Sequence, residues 1–232
     1  MEKHRIDPGL MKNNAFPTGV CTVTLDNDKI PVYNIHKNTA YDNIEITEED
    51  IKKIKEAKAD VFYFNTLIQR NAASRRSLLK ILENCHFENI FCDINIRKDC
   101  FDTESLRLCM EKATIVKISE EEAHFLHDTK VLKKSSDLFL INVAKQFPNL
   151  KLILYTKGKD GSEVLDTASG KIYSSGKPEP VTVVSTVGAG DCFGASFLSS
   201  YLKNKDIPLA IDEATKRSNI VVSSYEAVPF SF

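Results

Sequence analysis

The residues best suited to chemistry are four consecutive ones, Gly188, Ala189, Gly190 and Asp191. They follow the β-branched run VTVV and precede apolar residues that recur at helical spacing. This pattern predicts a loop between a buried strand and a helix. Backbone N–H groups in such a loop, together with the helix dipole, favour an anion.

Asp191 is an unexpected neighbour for an anion. A carboxylate about 4 Å from a phosphate charge costs about 4 kcal/mol at an effective dielectric constant of about 20. The acid is understandable as a general base that takes a hydroxyl proton while the amides stabilise the transferred group, as in phosphoryl transfer to an alcohol. The alternative is an acid that only complements the helix dipole. The sequence lacks the Gly-Lys-Ser/Thr of a Walker A loop, and Phe193 stands where a dinucleotide-binding motif needs glycine.

The run CDINIR carries three polar residues in alternate positions. If the strand continues through it, Asp93, Asn95 and Arg97 share one face. We expect them to contact a substrate hydroxyl or phosphate; the alternative is a solvated strand end.

Two further segments combine a local structural role with a candidate function. In YTKGKDGS, Gly158 and Gly161 predict a turn with positive φ angles. In VKISEEE, Ser119 and Glu122 have the spacing of a capping box at a helix start. Lys117 could offer a cation to phosphate, or it could be a surface lysine at a strand end.

Strand and helix patterns alternate along most of the chain. The segment TGVCTVTLDNDKIPVYNI predicts a β-hairpin that turns at DNDK, and a helix is expected from about Thr47. The alternation predicts an α/β fold with a mostly parallel sheet flanked by helices, interrupted by a β-rich patch at SEVLDTASGKIYSSG, with VTVVST as the last core strand. We expect one domain over residues 1–232, with a β lid over about 16–46 and a core over about 47–232.

Composition narrows the class of protein. The 232 residues are 42% hydrophobic and 27% charged with a net charge of -1, which disfavours a broad nucleic-acid-binding surface. No apolar run has the length of a membrane span, and the polar N-terminus does not resemble a signal peptide. None of the six cysteines forms a C-x-x-C pair, so we expect reduced thiols, a cytoplasmic location, and neither nucleic acid nor membrane as a partner.

The segment STVGAGDCFGASF resembles the C-terminal signature Asp-Thr-x-Gly-Ala-Gly-Asp-x-Phe of the PfkB-type, ribokinase-like carbohydrate kinases. The runs FPTGVCTVTLD, YDNI, FCDINIR, IVKISEEE and YTKGKDGS have counterparts, in the same order, in fructokinase-like members. The resemblance implies a ribokinase-like fold, ATP and Mg²⁺ as cofactors, and phosphorylation of a sugar hydroxyl, with fructose the leading candidate.

The resemblance also implies roles for residues that match the family's motifs. Asp191 would be the general base beside an anion hole, and Glu122 would be linked indirectly to magnesium-bound phosphates. Sugar and transferred phosphate would lie by Asp93, Asn95 and Arg97. The nucleotide residues would be Lys117, Thr156, Gly158 and Gly161.

The sequence departs from the family pattern in several places. The family's opening strand, its Gly-Gly-x-x-x-Asn segment and its first helix have no counterpart, so we expect the N-terminal strands of the fold to be missing and this chain alone to be a poor sugar kinase. Ser185 replaces an aspartate tied to a monovalent-cation site, which puts that site in doubt; Ser119 replaces asparagine, and Glu226 replaces glycine. The alternative to an active enzyme is a truncated or degenerate homologue that binds nucleotide without efficient turnover. We also expect the hairpin to close over the sugar and to pair with a second subunit.

Overall fold

The computed structural model describes residues 6–25 and 31–229. Its first element is an antiparallel hairpin of β1 (Cys21–Leu25) and β2 (Pro31–Ile35), with Cys21 opposite Ile35. The predicted hairpin is confirmed, whereas its predicted turn at DNDK lies outside the described residues.

The rest of the described chain alternates strands and helices. The strands are β3 (Val61–Phe64), β4 (Asn89–Asp93), β5 (Ile115–Ser119), β6 (Leu152–Thr156), β7 (Ser162–Asp166) and β8 (Lys171–Ser174). The α-helices are α1 (Glu48–Ala57), α2 (Ala72–Asn84), α3 (Thr103–Lys112), α4 (Glu120–Asp128), α5 (Phe139–Gln146), α6 (Ala189–Asn204) and α7 (Ile207–Val222). Helix α1 begins where the sequence predicts, because Thr47 caps it and accepts a hydrogen bond from the Asp50 N–H.

The six strands β3 to β8 form one sheet in chain order. Strands β3 to β6 are parallel, and β7 and β8 add an antiparallel edge that contains the β-rich patch. The register sets Asp93 of β4 beside Lys117 of β5, and Ser119 beside Thr156 of β6. The mostly parallel α/β fold is therefore confirmed, and the parallel strands bring their carboxyl ends to one edge.

Both faces of this sheet are covered by helices. One apolar cluster joins the sheet to α2, α3, α4 and α5, and a second joins it to α6 and α7. Neighbouring residues take opposite faces: Phe91 and Ile115 belong to the α6–α7 side, whereas Cys92 and Val116 belong to the other. The continuous apolar runs of the parallel strands follow from this double burial.

The predicted last core strand is wrong. Residues 181–184, the VTVV run, form no strand, and Val183 is 65% exposed. The N–H groups of Val184 and Ser185 donate instead to the carbonyl of Val222, at the end of α7. β-Propensity describes residues that suit a pleated surface, but a strand also needs a neighbouring strand to pair with.

The described residues bear on two expectations from the sequence, reduced thiols and the lack of a membrane-spanning run. All six thiols are free; Cys92, Cys100 and Cys109 are buried, and Cys21 is exposed. Within the described ranges, no helix has both the length and the apolarity needed to cross a bilayer.

Candidate active site

The N-terminus of α6 offers unpaired backbone donors. Gly188 caps the helix, and its carbonyl accepts the first helical hydrogen bond, from the Cys192 N–H at 2.8 Å. The Ala189 N–H donates to the Thr186 carbonyl at 3.3 Å, so it is not free. The N–H groups of Gly188, Gly190 and Asp191 find no acceptor among residues 6–25 and 31–229. These free donors, together with the dipole of a 16-residue helix, favour an anion at the start of α6.

The two glycines of this loop serve different purposes. Gly188 has a φ of +82°, and a Cβ there would lie 3.0 Å from the Ala227 Cβ. Gly190 has an ordinary φ, and a Cβ there would lie 3.5 Å from the Nζ atom of Lys117. The positive φ of this loop, which favours glycine, therefore belongs to Gly188, whereas Gly190 leaves the space above the Lys117 ammonium open.

Lys117 is buried and ion-paired. Its Nζ atom lies 2.9 Å and 2.8 Å from the two carboxylate oxygens of Asp93, and the two residues are 5% and 3% exposed. A surface lysine at a strand end is thereby excluded. Because Nζ also lies beside Gly190, the pair sits directly beneath the start of α6.

Asp191 lies close enough to Asp93 to affect its pKa. Burial raises the pKa of Asp93 to about 6, although the Lys117 ammonium opposes that rise. The negative charges of Glu122 and Asp191 raise this pKa further. Asp93 and the exposed Asp191 are far apart in sequence, and the fold brings them within electrostatic reach of each other.

Tyr63 is a residue that the sequence motifs did not reveal. It lies in β3, with its ring centroid 5.7 Å from that of Phe91. The residue is 48% exposed, and its partial burial together with the charges of Asp93 and Asp191 raises its pKa to about 12. The Asn65 Nδ2 group donates to the Tyr63 hydroxyl at 3.3 Å. Strand alternation was the available signal, because it places Tyr63 on the same face as Val61, toward α6 and α7.

The predicted common face of Asp93, Asn95 and Arg97 is not supported. Strand β4 ends at Asp93, and Asn95 has a φ of +48°, so alternation of period two does not continue. The Thr66 hydroxyl donates to the carbonyls of Ile94 and Asn95 and fixes this bend. Asp93 therefore forms an ion pair with Lys117, and Arg97 is exposed on the segment that follows.

Glu122 joins two segments of the site. The predicted capping box is confirmed: Glu122 Oε2 accepts from the Ser119 N–H at 2.8 Å, and Ser119 Oγ accepts from the Glu122 N–H at 3.2 Å. Its other oxygen, Oε1, accepts from the Ile96 N–H at 2.9 Å. Glu122 therefore ties the start of α4 to the segment that carries Asn95 and Arg97.

The predicted glycine turn after β6 is confirmed. Gly158 and Gly161 have φ angles of +54° and +90°. A Cβ at Gly161 would lie 1.9 Å from the Gly176 carbonyl oxygen, so a close backbone approach requires glycine there. Thr156 ends β6 immediately before this turn, beside Ser119 of β5.

The acids of the described residues do not form a metal cage. In residues 6–25 and 31–229, no group of three histidine, cysteine or acidic side chains is arranged to hold a metal ion. Both oxygens of Glu122 already accept backbone N–H groups. This donor set fits a Mg²⁺ ion held mainly by phosphates and water, with Glu122 acting indirectly.

Asp93, Lys117 and the start of α6 meet at the carboxyl ends of the parallel strands, the end at which open α/β sheets generally bind their ligands. The pfkB family carbohydrate kinase profile matches residues 1–231, and the chain belongs to that family.

Individual relatives agree with this assignment. The chain is 29% identical over 231 residues to "Probable fructokinase-6, chloroplastic" of Arabidopsis thaliana, covering 95% of this chain and 55% of the relative. It is 27% identical over 217 residues to "Putative sugar kinase PH1459" of Pyrococcus horikoshii, covering 90% of this chain and 64% of the relative. The chain thus spans between half and two thirds of the length of these relatives.

Solved structures share the fold. PH1459 in complex with ATP superposes with a TM-score of 0.72 at 24% identity, covering 93% of this chain and 68% of that one. Fructokinase from Vibrio cholerae O395, bound to fructose, ADP and calcium ion, superposes with a TM-score of 0.71 at 20% identity, covering 93% and 70%. The ribokinase-like fold expected from the sequence is confirmed.

Proposed function

We propose that the protein transfers the γ-phosphoryl group of ATP to a sugar hydroxyl, with fructose the first acceptor to test. The observation that carries this proposal is the set of free N–H groups at the start of α6, with Asp191 in the first helical turn and the Lys117 ammonium beneath it. Family membership and a fructokinase relative support it.

In the proposed reaction, Asp191 accepts the proton of the sugar hydroxyl. The oxygen then forms a bond to the γ-phosphorus of ATP, the bond from that phosphorus to the β–γ bridging oxygen breaks, and ADP leaves with the bonding pair. The free N–H groups of Gly188 and Gly190 stabilise negative charge on the group in transfer. A general base contributes typically about 10²–10⁴-fold to such a step.

Lys117 supplies positive charge that needs no rearrangement. Its ammonium is fixed by two hydrogen bonds to Asp93 and faces Gly190, which has no side chain to block it. Charge held in advance in a buried site stabilises a transition state better than a mobile surface charge. Asp93 accordingly acts through Lys117, and Asn95 and Arg97 are the proposed contacts for the sugar and the transferred phosphate.

ATP is assigned to the turn after β6, through Thr156, Gly158 and Gly161. Two family members of the same fold are known with ATP or ADP bound. Mg²⁺, which neutralises phosphate charge when bound, would be held by the phosphates and by water, with Glu122 orienting that water.

The test compares Asp191→Asn with the parent and with Glu121→Gln, which alters an exposed acid in the first turn of α4. ADP release is measured with fructose and a panel of other sugars, and ATP affinity is measured by calorimetry. We expect Asp191→Asn to lose about 10²–10⁴-fold in turnover at nearly unchanged ATP affinity. Normal turnover in that variant would remove Asp191 from the mechanism.

A second function is a homologue that binds nucleotide without efficient turnover. The observation that favours it is the departure from the family pattern at Ser119, Ser185 and Glu226. ATP binding without ADP release on any sugar would support this second function over the first. Absence of ATP binding would contradict both.

A further inference from the structure

A cavity lies outside the site described above. It has a volume of about 470 Å³ and separates the end of the hairpin from the segment that follows β4. Ile35, His36 and Lys37 form one wall, and Lys98, Asp99 and Cys100 form the other. Neither Asp191 nor any residue proposed above to bind ATP lines this cavity.

The walls of this cavity carry excess positive charge. Neither Lys37 nor Lys98 has a carboxylate partner within residues 6–25 and 31–229, whereas thirteen other cationic side chains there are paired. The single acid, Asp99, opposes two lysines. One ring nitrogen of His36, Nε2, lies 2.7 Å from Thr22 Oγ1, which leaves the other nitrogen for a ligand.

The two walls are held together by one buried guanidinium. Arg70 donates to the carbonyls of Ile35 and His36 on one side and to Cys100 Sγ on the other. Asp42 anchors it through two hydrogen bonds of 2.6 and 2.8 Å. The cavity is therefore formed before any ligand arrives, which lowers the ordering cost of binding.

We propose that this cavity binds the carboxylate or phosphate group of a small sugar-derived anion, with Lys37 and Lys98 as its cationic contacts. The volume lies within the range of about 300–1,000 Å³ typical of small-molecule sites. Lys98 directly follows Arg97, so a ligand here adjoins the segment that we propose for the acceptor sugar. The anion is either an acidic group on the acceptor itself, which rests on the proposed function, or a separate effector.

Site-resolved binding tests the proposal without relying on activity. Backbone amide shifts of the ¹⁵N-labelled protein are followed during titration with inorganic phosphate, gluconate and neutral fructose. We expect phosphate and gluconate to produce saturable shifts at 35–37 and 98–100 that depend on Lys37 and Lys98, whereas shifts caused by fructose bound beside Arg97 should not depend on these two lysines. The amides of 188–191 report phosphate binding at the α6 site separately, so failure of one site is distinguishable from failure of the other.

Charge variants give effects of opposite sign. Lys37→Ala with Lys98→Ala should weaken anion binding at this cavity about tenfold or more, because charge-assisted hydrogen bonds are lost. Asp99→Asn should tighten it, and Lys134→Ala, an exposed lysine after α4, should leave it unchanged.

The outcome also identifies the source of the anion. If gluconate shifts both sets of amides with one dissociation constant, the group belongs to the acceptor; if the constants differ, it belongs to a separate effector. Non-saturable shifts at 35–37 and 98–100, or equal anion affinity in the double lysine variant, would overturn the proposal.

Discussion

The charge of the site depends on the protonation state of the Asp93 carboxyl group. Burial raises its pKa from 3.8 to about 6, so the folded chain binds this proton more tightly than the unfolded chain does. Its contribution to the free energy of unfolding therefore falls as the pH rises from 3.8 to about 6 and changes little above that. The ionised form that holds Lys117 is thus favoured only above about pH 6.

ATP affinity should follow this titration. As the pH falls through about 6, protonated Asp93 no longer fixes the Lys117 ammonium by charge, and the proposed anion hole should lose preorganisation. Calorimetric ATP titrations from pH 5 to 8 measure the effect, with Asp93→Asn as the reference that cancels the titration of ATP itself. A constant ratio of the two affinities over this range would contradict the prediction.

Replacing the ion pair of Asp93 and Lys117 should affect the stability of the fold and its affinity for ATP differently. Removing one partner of a buried ion pair costs about 3–5 kcal/mol, whereas replacing both with well-packed neutral groups is often nearly neutral. We expect urea denaturation to show large losses for Asp93→Asn and Lys117→Met alone, and recovery in the double variant. The recovered protein should still bind ATP weakly; parental affinity there would exclude Lys117 from the anion hole.

At the scale of elements, substitutions of the two glycines at the start of α6 should have different effects. Gly188→Ala should lower the free energy of unfolding by about 1–2 kcal/mol from the left-handed backbone alone, with a further loss from contact with Ala227. Gly158→Ala is the matched control, because that residue has a φ of +54° and no atom within 4 Å of its Cβ position.

Gly190→Val should behave in the opposite way. Its backbone is ordinary, so stability should change little, but its side chain would enter the space beside Lys117 Nζ and weaken ATP binding. Chemical denaturation of the Gly188, Gly190 and Gly158 variants and ATP titration of the Gly188 and Gly190 variants distinguish the effects. A Gly190→Val protein that unfolds easily but binds ATP normally would contradict this division.

Elements were predicted correctly where their burial and strand pairing agree with the local pattern of apolar residues. Strands β4, β5 and β6 were found because parallel strands covered on both faces are continuously apolar. The VTVV run has the same composition but no strand beside it, so the same reasoning failed there. The ion pair of Asp93 with Lys117 depends on register between strands 24 residues apart, and no local pattern contains that information.

At the scale of the whole molecule, the hairpin stands apart from the six-stranded sheet. Among residues 6–25 and 31–229 it forms a two-stranded sheet of its own, so each strand has one edge unpaired within these ranges, and Val20 and Val23 are exposed. Unpaired edges with exposed apolar side chains favour association with another strand. The predicted pairing of two subunits through this hairpin remains a prediction.

Light scattering at micromolar concentration tests that pairing. We expect the parent to dimerise and Val20→Lys with Val23→Lys to be monomeric, since charge on an edge opposes strand pairing. Val183→Lys, at another exposed valine, is the control. A parent that is monomeric under these conditions would remove the dimer while leaving closure of the hairpin over the sugar untested.

The two hydrogen bonds of Glu122 imply cooperativity between substrates. One carboxylate oxygen holds the Ser119 N–H, next to the strand end that carries Thr156, and the other holds the Ile96 N–H, between Asn95 and Arg97. Ordering either segment with a ligand orders the other through this carboxylate. Coupling of this kind is reciprocal, so sugar should tighten ATP binding by the same factor by which ATP tightens sugar binding. Glu122→Gln keeps one acceptor oxygen and loses the other, and it should reduce that shared factor in both directions equally.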